Sequence, residues 1–249
     1  MRIFLIGGGH DAATVYRPFV GAVKDGAVKA LKDGPVVAIV RDDGADTNAD
    51  RWVEGLHEAG AADVRALVVS PDRPPMVEDL DGAAGVFVAG GLTPGYRDTL
   101  VKDGTAWQDP VRSGLPYAGF SAGAAIAPGN ALVGGYLAPV GGRDVEVCDS
   151  DFSEGLDAVT VLPGLGLVPF TVEVHAAQWG MHYRLVHAML GGERVIDEGW
   201  AIDEHTTLEV TDGALSVHGT GTATRMRRVG DRIELTVHPA GVPVVLPEQ

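Results

Sequence analysis

The segment Gly119-Phe120-Ser121-Ala122-Gly123 fits the G-x-S-x-G pattern of a nucleophile elbow. In such a turn a strand runs sharply into a helix and holds the serine hydroxyl out over the sheet. The flanking glycines are needed because a side chain there would collide with the turn. The backbone N–H of Ala122, at the helix start, can then donate to an oxyanion. The plainer reading of Ser121 is a helix N-cap. A serine nucleophile also needs a base and a group that orients the base. Eight histidines are available. His57 lies on a polar helical segment, His218 and His238 fall in late strands, and His182 and His187 share a helix at a spacing that suits no metal pair. His175 stands apart, because it follows the alternating Thr171–Val174 and precedes a helical stretch. His10, beside Gly9, sits at another strand end, either as a ligand contact or as an ordinary loop residue.

These side chains need a scaffold that gathers strand ends on one edge. Short apolar runs predict strands at Arg2–Ile6, Pro35–Val40, Val64–Val69, Gly85–Ala89 and Leu115–Phe120, with helices at Ala12–Leu31, Asn48–Ala59 and Thr93–Asp103 between them. That alternation predicts an α/β fold, a doubly wound and mostly parallel sheet covered on both faces. Ligands of such sheets bind at the carboxyl ends of the strands. Three glycine clusters fall there: Gly7–Gly9, Gly90–Gly91 and Gly119–Gly123. The second half is Gly-rich and strand-like over Ala131–Val147, strand plus loop over Val159–Leu167, and helical over Ala176–Leu190. From there on, short strands alternate with turns such as Asp212-Gly213 and Gly230-Asp231. They predict an antiparallel β extension over residues 205–249 that completes the sheet of a single domain spanning 1–249.

Composition narrows the chemistry. The chain has 249 residues and a formal net charge of −15, which argues against nucleic-acid and anionic-membrane partners. Its single Cys excludes an internal disulfide framework and a multi-Cys metal cluster. The apolar run at the N-terminus is too short for a signal peptide, and no run reaches the roughly 18 residues of a spanning helix. The expectation is a cytoplasmic protein without cofactor or metal, acting on a small partner, with homodimer formation left open.

Gly90-Gly91, Gly119-Phe120-Ser121-Ala122-Gly123-Ala124-Ala125, Val172-Glu173-Val174-His175 and Ala201-Ile202-Asp203-Glu204-His205-Thr206-Thr207-Leu208 together resemble the peptidase S51 family, which includes dipeptidase E and cyanophycinase. The resemblance runs from the first strand to about position 210. It implies a fold like that of class I glutamine amidotransferases, a flavodoxin-type three-layer sandwich, and hydrolysis of amide bonds in short peptides. It also implies Ser121 as nucleophile, His175 as general base, Glu204 as the acid that orients the imidazole, and the N–H groups of Gly91 and Ala122 as oxyanion donors. Asp203, and Asp144 or Glu146 after the elbow, are the alternative acids.

The substrate side departs from the cyanophycinase branch. Two of its three Arg positions are Trp179 and Met181 here, and only Arg184 remains; Leu92 and Thr93 replace polar residues after the glycine pair. A site without bidentate Arg clamps loses specificity for carboxylates, so a smaller or more apolar peptide than cyanophycin is expected. Leu92, Thr93, Trp179, Arg184 and His10 are the expected substrate contacts, with Trp179 and Met181 alternatively in the core. Cys148 is off the elbow and expected to be inert. Two other functions compete. One is a non-catalytic amidotransferase-like binding module. The other is a dinucleotide-binding oxidoreductase, since Gly7-Gly8-Gly9-His10-Asp11-Ala12 fits G-x-G-x-x-A, although Asp42 and Asp43 lie about 30 residues on where roughly 20 is usual.

Overall fold

The computed structural model describes residues 1–26, 34–44, 47–102, 104, 106–191 and 194–245. The first half of the chain runs β1 (Arg2–Ile6), α1 (Ala12–Asp25), β2 (Val36–Arg41), α2 (Ala49–Glu58), β3 (Val64–Val69), β4 (Gly85–Val88), α3 (Thr93–Leu100), α4 (Asp109–Arg112), β5 (Tyr117–Phe120) and α5 (Ala122–Ala125). The second half opens with β6 (Asn130–Gly134), β7 (Leu137–Val140), β8 (Arg143–Glu146), β9 (Thr160–Pro163), β10 (Thr171–Glu173) and α6 (His182–Gly191). It closes with β11 (Glu198–Ile202), β12 (Thr206–Thr211), β13 (Ala214–Gly219), β14 (Thr222–Val229) and β15 (Arg232–Pro239).

The main sheet has the order β13-β12-β1-β5-β4-β2-β3. Its five strands from β1 to β3 are parallel, and β12 and β13 join antiparallel beside β1. Because β1, β5 and β4 are neighbours with one direction, their three glycine-rich ends meet on one edge. The sheet is covered on both faces. Phe87 on β4 packs against Tyr16 and Phe19 of α1 and Trp52 of α2. Its neighbour Val88 faces the other way, so close to α5 that a Cβ on Gly123 would lie 2.4 Å from the Val88 carbonyl oxygen. Strands buried on both faces explain the unbroken apolar runs Ile3–Ile6 and Val36–Val40.

Several elements differ from the sequence expectations. The first helix ends at Asp25, where Gly26 caps it in the left-handed region and donates its N–H to the Val23 carbonyl; residues 27–33 lie outside the described residues. The third helix ends at Leu100, and Asp103 lies outside the described residues, as do 246–249 of the predicted extension. Among the described residues of the extension, only β12 and β13 join the main sheet. Strands β11, β14 and β15 join β10 in a separate four-stranded sheet, packed through Ala201 and Met226 against Leu185 and Met189 of α6. A strand's own pattern shows that it is half-buried but not which sheet it joins. The helix expected over Ala176–Leu190 begins only at His182. Gly180 is left-handed at φ 70°, and the Met181 N–H reaches back to the Ala176 carbonyl in a wide turn. Among the described residues no helix is long and apolar enough to cross a membrane.

At the β1–β12–β13 edge, Glu209 accepts hydrogen bonds from His218, Thr211 and Arg2. The His218 contact first, then those of Thr211 and Arg2, hold its carboxyl down at about 2, from an ordinary 4.5. A depressed carboxylate stabilises the fold above its unfolded pKa and loses that contribution as pH falls through the folded value. Glu209→Gln is therefore expected to cost about 1–2 kcal/mol in urea unfolding at pH 7, solvent screening of a half-buried group included. The difference from wild type should shrink between pH 4.5 and 2.

Candidate active site

Ser121 stands between β5 and α5 with φ 50° and ψ −107°, a conformation that strains any residue with a side chain. The surroundings hold it there. A Cβ on Gly119 would meet the Gly123 carbonyl at 2.4 Å, so the strand and the first turn of α5 touch backbone to backbone. The Ser121 N–H donates to the Ile6 carbonyl of β1, and Tyr117 ties its hydroxyl to the Gly123 carbonyl. The Ser121 side chain therefore stands on the glycine-rich edge, nearly buried and pointing at His175.

His175 follows β10, also with positive φ, 51°. Its N–H donates to the Gly7 carbonyl at the end of β1, which ties the second sheet to the first. Ser121 Oγ lies 2.8 Å from His175 Nε2, and His175 Nδ1 lies 2.8 Å from Glu204 Oε1. With Nδ1–H donating to the carboxylate, Nε2 carries the lone pair that accepts from Ser121. Burial pushes the imidazole below its ordinary pKa, against the upward pull of the Glu204 hydrogen bond. Glu204 lies in the turn where the chain passes from β11 to β12. Its neighbour Asp203 is committed elsewhere: it accepts from the Ala177 N–H through Oδ1 and from the Thr222 N–H and hydroxyl through Oδ2. Asp144 and Glu146 sit on β8 with exposed side chains, and the His175 Nδ1 position is filled by Glu204.

A cleft of about 810 Å³ opens over these groups. Gly91, Leu92, His10 and Trp179 line it. Trp179 stacks on the His175 ring, with centroids 3.7 Å apart and planes 6° from parallel, whereas Met181 is fully buried in the core. Thr93 is buried and gives its N–H to Glu154 Oε2. Arg184 is not at the cleft. It pairs with buried Glu173 through Nε at 2.7 Å and Nη2 at 2.8 Å, and donates Nη1 to the Phe152 carbonyl. The sequence reading missed the opposite wall, where Arg41, Asp43, Arg51 and Trp52 line the cleft, and the loop carrying Asp151, Phe152 and Glu154. Phe152 belongs to a segment with no periodic signal, and nothing local marks its stacking on Trp179. Glu154 is a carboxyl that burial pushes upward, on a left-handed residue at φ 60°.

The Gly7–Gly9 turn packs against side chains of the chain itself. A Cβ on Gly8 would fall 2.2 Å from His175 Cε1, and one on Gly9 2.7 Å from His205 Nδ1, so side chains of the chain itself fill that space. Asp11 already caps α1 by accepting from Thr14, placing a carboxylate where a phosphate would bind. The Cys148 thiol is half-buried, points at the Gly135 carbonyl, and is pushed upward by burial. Among the described residues no group of three or more His, Cys, Asp or Glu is arranged to hold a metal.

The sequence profile of Peptidase family S51 matches residues 35–218. The crystal structure of a peptidase from an acI-B1 Actinobacterium superposes with a TM-score of 0.68 at 17% identity, covering 98% of this chain and 96% of that one. No curated protein matches the chain.

The Glu173–Arg184 pair is almost wholly desolvated, with side-chain exposures of 2% and 4%. Removing one partner leaves a buried charge uncompensated. Glu173→Ala should therefore lower the unfolding free energy by about 3–5 kcal/mol in urea titration, whereas an effect below about 1 kcal/mol would show that water reaches Arg184.

Proposed function

The chain belongs to Peptidase family S51, and on that premise we propose that this serine peptidase-type hydrolase cleaves amide bonds of short peptides through Ser121, His175 and Glu204. The observation that carries the reading is the continuous chain of hydrogen bonds from Ser121 Oγ through both ring nitrogens of His175 to Glu204. As Ser121 Oγ attacks the peptide carbonyl, His175 Nε2 takes its proton, and Glu204 stabilises the imidazolium that forms. The N–H groups of Gly91 and Ala122 receive the developing oxyanion. That role suits Ala122, because the first N–H groups of a helix have no partner within it. Collapse of the tetrahedral species breaks the C–N bond, and His175 returns the proton to the departing amine. Water, deprotonated by His175, then attacks the acyl carbonyl, and the C–O bond to Ser121 breaks as His175 returns the proton to Ser121 Oγ.

The substrate is a short peptide, and cyanophycin fits poorly. From the segment after His175, the cleft receives the Trp179 ring, while Arg184 is spent on Glu173 and Met181 is buried. That wall favours an apolar contact over a carboxylate.

A library of dipeptides and longer peptides, free and N-acylated, tests the proposal. Hydrolysis is expected in wild type and a loss on the order of 10³-fold or more in Ser121→Ala. Glu204→Gln should cost on the order of 10²–10⁴-fold through the wrong imidazole tautomer. Binding of peptides without hydrolysis would instead support a non-catalytic module. The base must be neutral, so kcat/KM should rise with pH through a midpoint below the ordinary histidine value of 6.5. A midpoint above that value would contradict the lowering by burial, and a profile with no acid limb would contradict the assignment of His175 as the base.

A further inference from the structure

The His175 imidazole is held at four places. Ser121 and Glu204 bond its two nitrogens. The Gly8 backbone lies so close to Cε1 and Nδ1 that a Cβ there would be 2.2 and 2.4 Å away. The Trp179 indole covers a face of the ring. Behind Trp179, Phe152 continues the stack at 4.7 Å and 10°. Arg184 closes the loop, since it holds the Phe152 carbonyl with one arm of its guanidinium and grips Glu173, two residues before His175, with the others.

We propose that Trp179, backed by Phe152 and the Glu173–Arg184 pair, is the positioning residue for the His175 base. The inference rests on the reading of His175 as the base, and goes beyond it. The residue stands where the family resemblance expects an Arg, and its indole lies flat on the imidazole. A flat ring against a flat ring fixes the imidazole plane and excludes water from one face. Without it, rotation about the Cβ–Cγ bond of His175 would break both of its hydrogen bonds together. Precise placement of a base is worth one or two orders of magnitude in rate. Water exclusion also keeps the ring neutral at lower pH. The charged groups acting on His175 are Glu204 and Glu173, which favour the imidazolium, and Arg184, which opposes it. None of them is altered by changing Trp179.

Trp179→Ala and Trp179→Phe separate positioning from bulk. With a hydrolysed peptide, Trp179→Ala should lower kcat by about tenfold or more. Its acid-limb midpoint should move up toward 6.5. Trp179→Phe, which keeps a stacked ring, should return kcat to within about threefold and restore the midpoint. If Trp179→Ala does not fold, Trp179→Leu fills the space without a stacking ring and is expected to show the same two losses. The proposal is overturned if removing the ring leaves kcat and the midpoint unchanged, or if it raises KM alone. Titration of the His175 ring by NMR gives a readout independent of turnover. If wild type hydrolyses nothing, the proposed function fails. A lower NMR midpoint in wild type than in Trp179→Ala then still supports the clamp, and equal midpoints still overturn it.

Discussion

Asp203 is buried at the corner where the chain leaves one sheet for the other, and it accepts three hydrogen bonds there. One comes from the turn after His175 and two come from Thr222 at the start of β14. The proposed site is divided between two sheets, with Ser121 on the edge of the first and His175 at the end of a strand in the second. Glu204 lies in the crossing between them. The separation of the three side chains therefore depends on the seam between the sheets, which the His175 N–H crosses to the Gly7 carbonyl, and Asp203 is the pin that fixes the ends of β10, β11 and β14 on the second sheet's side of it. The His205 N–H to the Gly8 carbonyl continues the β1–β12 ladder into the turn beside it. A buried carboxylate with three donors is costly to disturb, which suits a residue that must hold the geometry of its neighbours.

Around that pin the chain accepts local strain. Ser121, Glu154, His175 and His205 all have positive φ, and all lie on or beside the cleft edge. Each such residue costs of order 1–3 kcal/mol and persists only where its surroundings over-determine it. The surroundings here are long-range: glycines that let backbones touch at Gly119 and Gly123, a glycine that makes room for the His175 ring, and the desolvated Glu173–Arg184 pair. Part of the glycine abundance of the sequence has its explanation in these contacts.

What could be read in the sequence follows from which forces act locally. The elbow was legible because its sharp turn demands glycines at fixed spacing. The parallel strands were legible because burial on both faces forces unbroken apolar runs. His175 stood out by its place between an alternating strand and a helix, whereas Glu204 was named only through family resemblance, which left Asp203, Asp144 and Glu146 as rivals for the acid. Strand order and the separate sheet of β10, β11, β14 and β15 were not legible, since hydrogen-bond partners leave no mark on a strand's own pattern. Arg184 was misplaced at the substrate because a charge in a sequence does not say whether it is buried, and its partner Glu173 faces it only once β10 and α6 have packed. The stack of Phe152 on Trp179 joins segments more than twenty residues apart in the same way.

The central claim is that Ser121 carries an activated hydroxyl. A small fluorophosphonate reacts with a serine only where a neighbouring base removes the proton and an oxyanion site accepts the charge. Treatment of the native protein, followed by proteolysis and mass spectrometry of the peptides, reads this directly. The account predicts a single phosphonyl adduct on Ser121, absent after unfolding and in His175→Ala. A native protein that stays unmodified, or an adduct on any other serine, would contradict it.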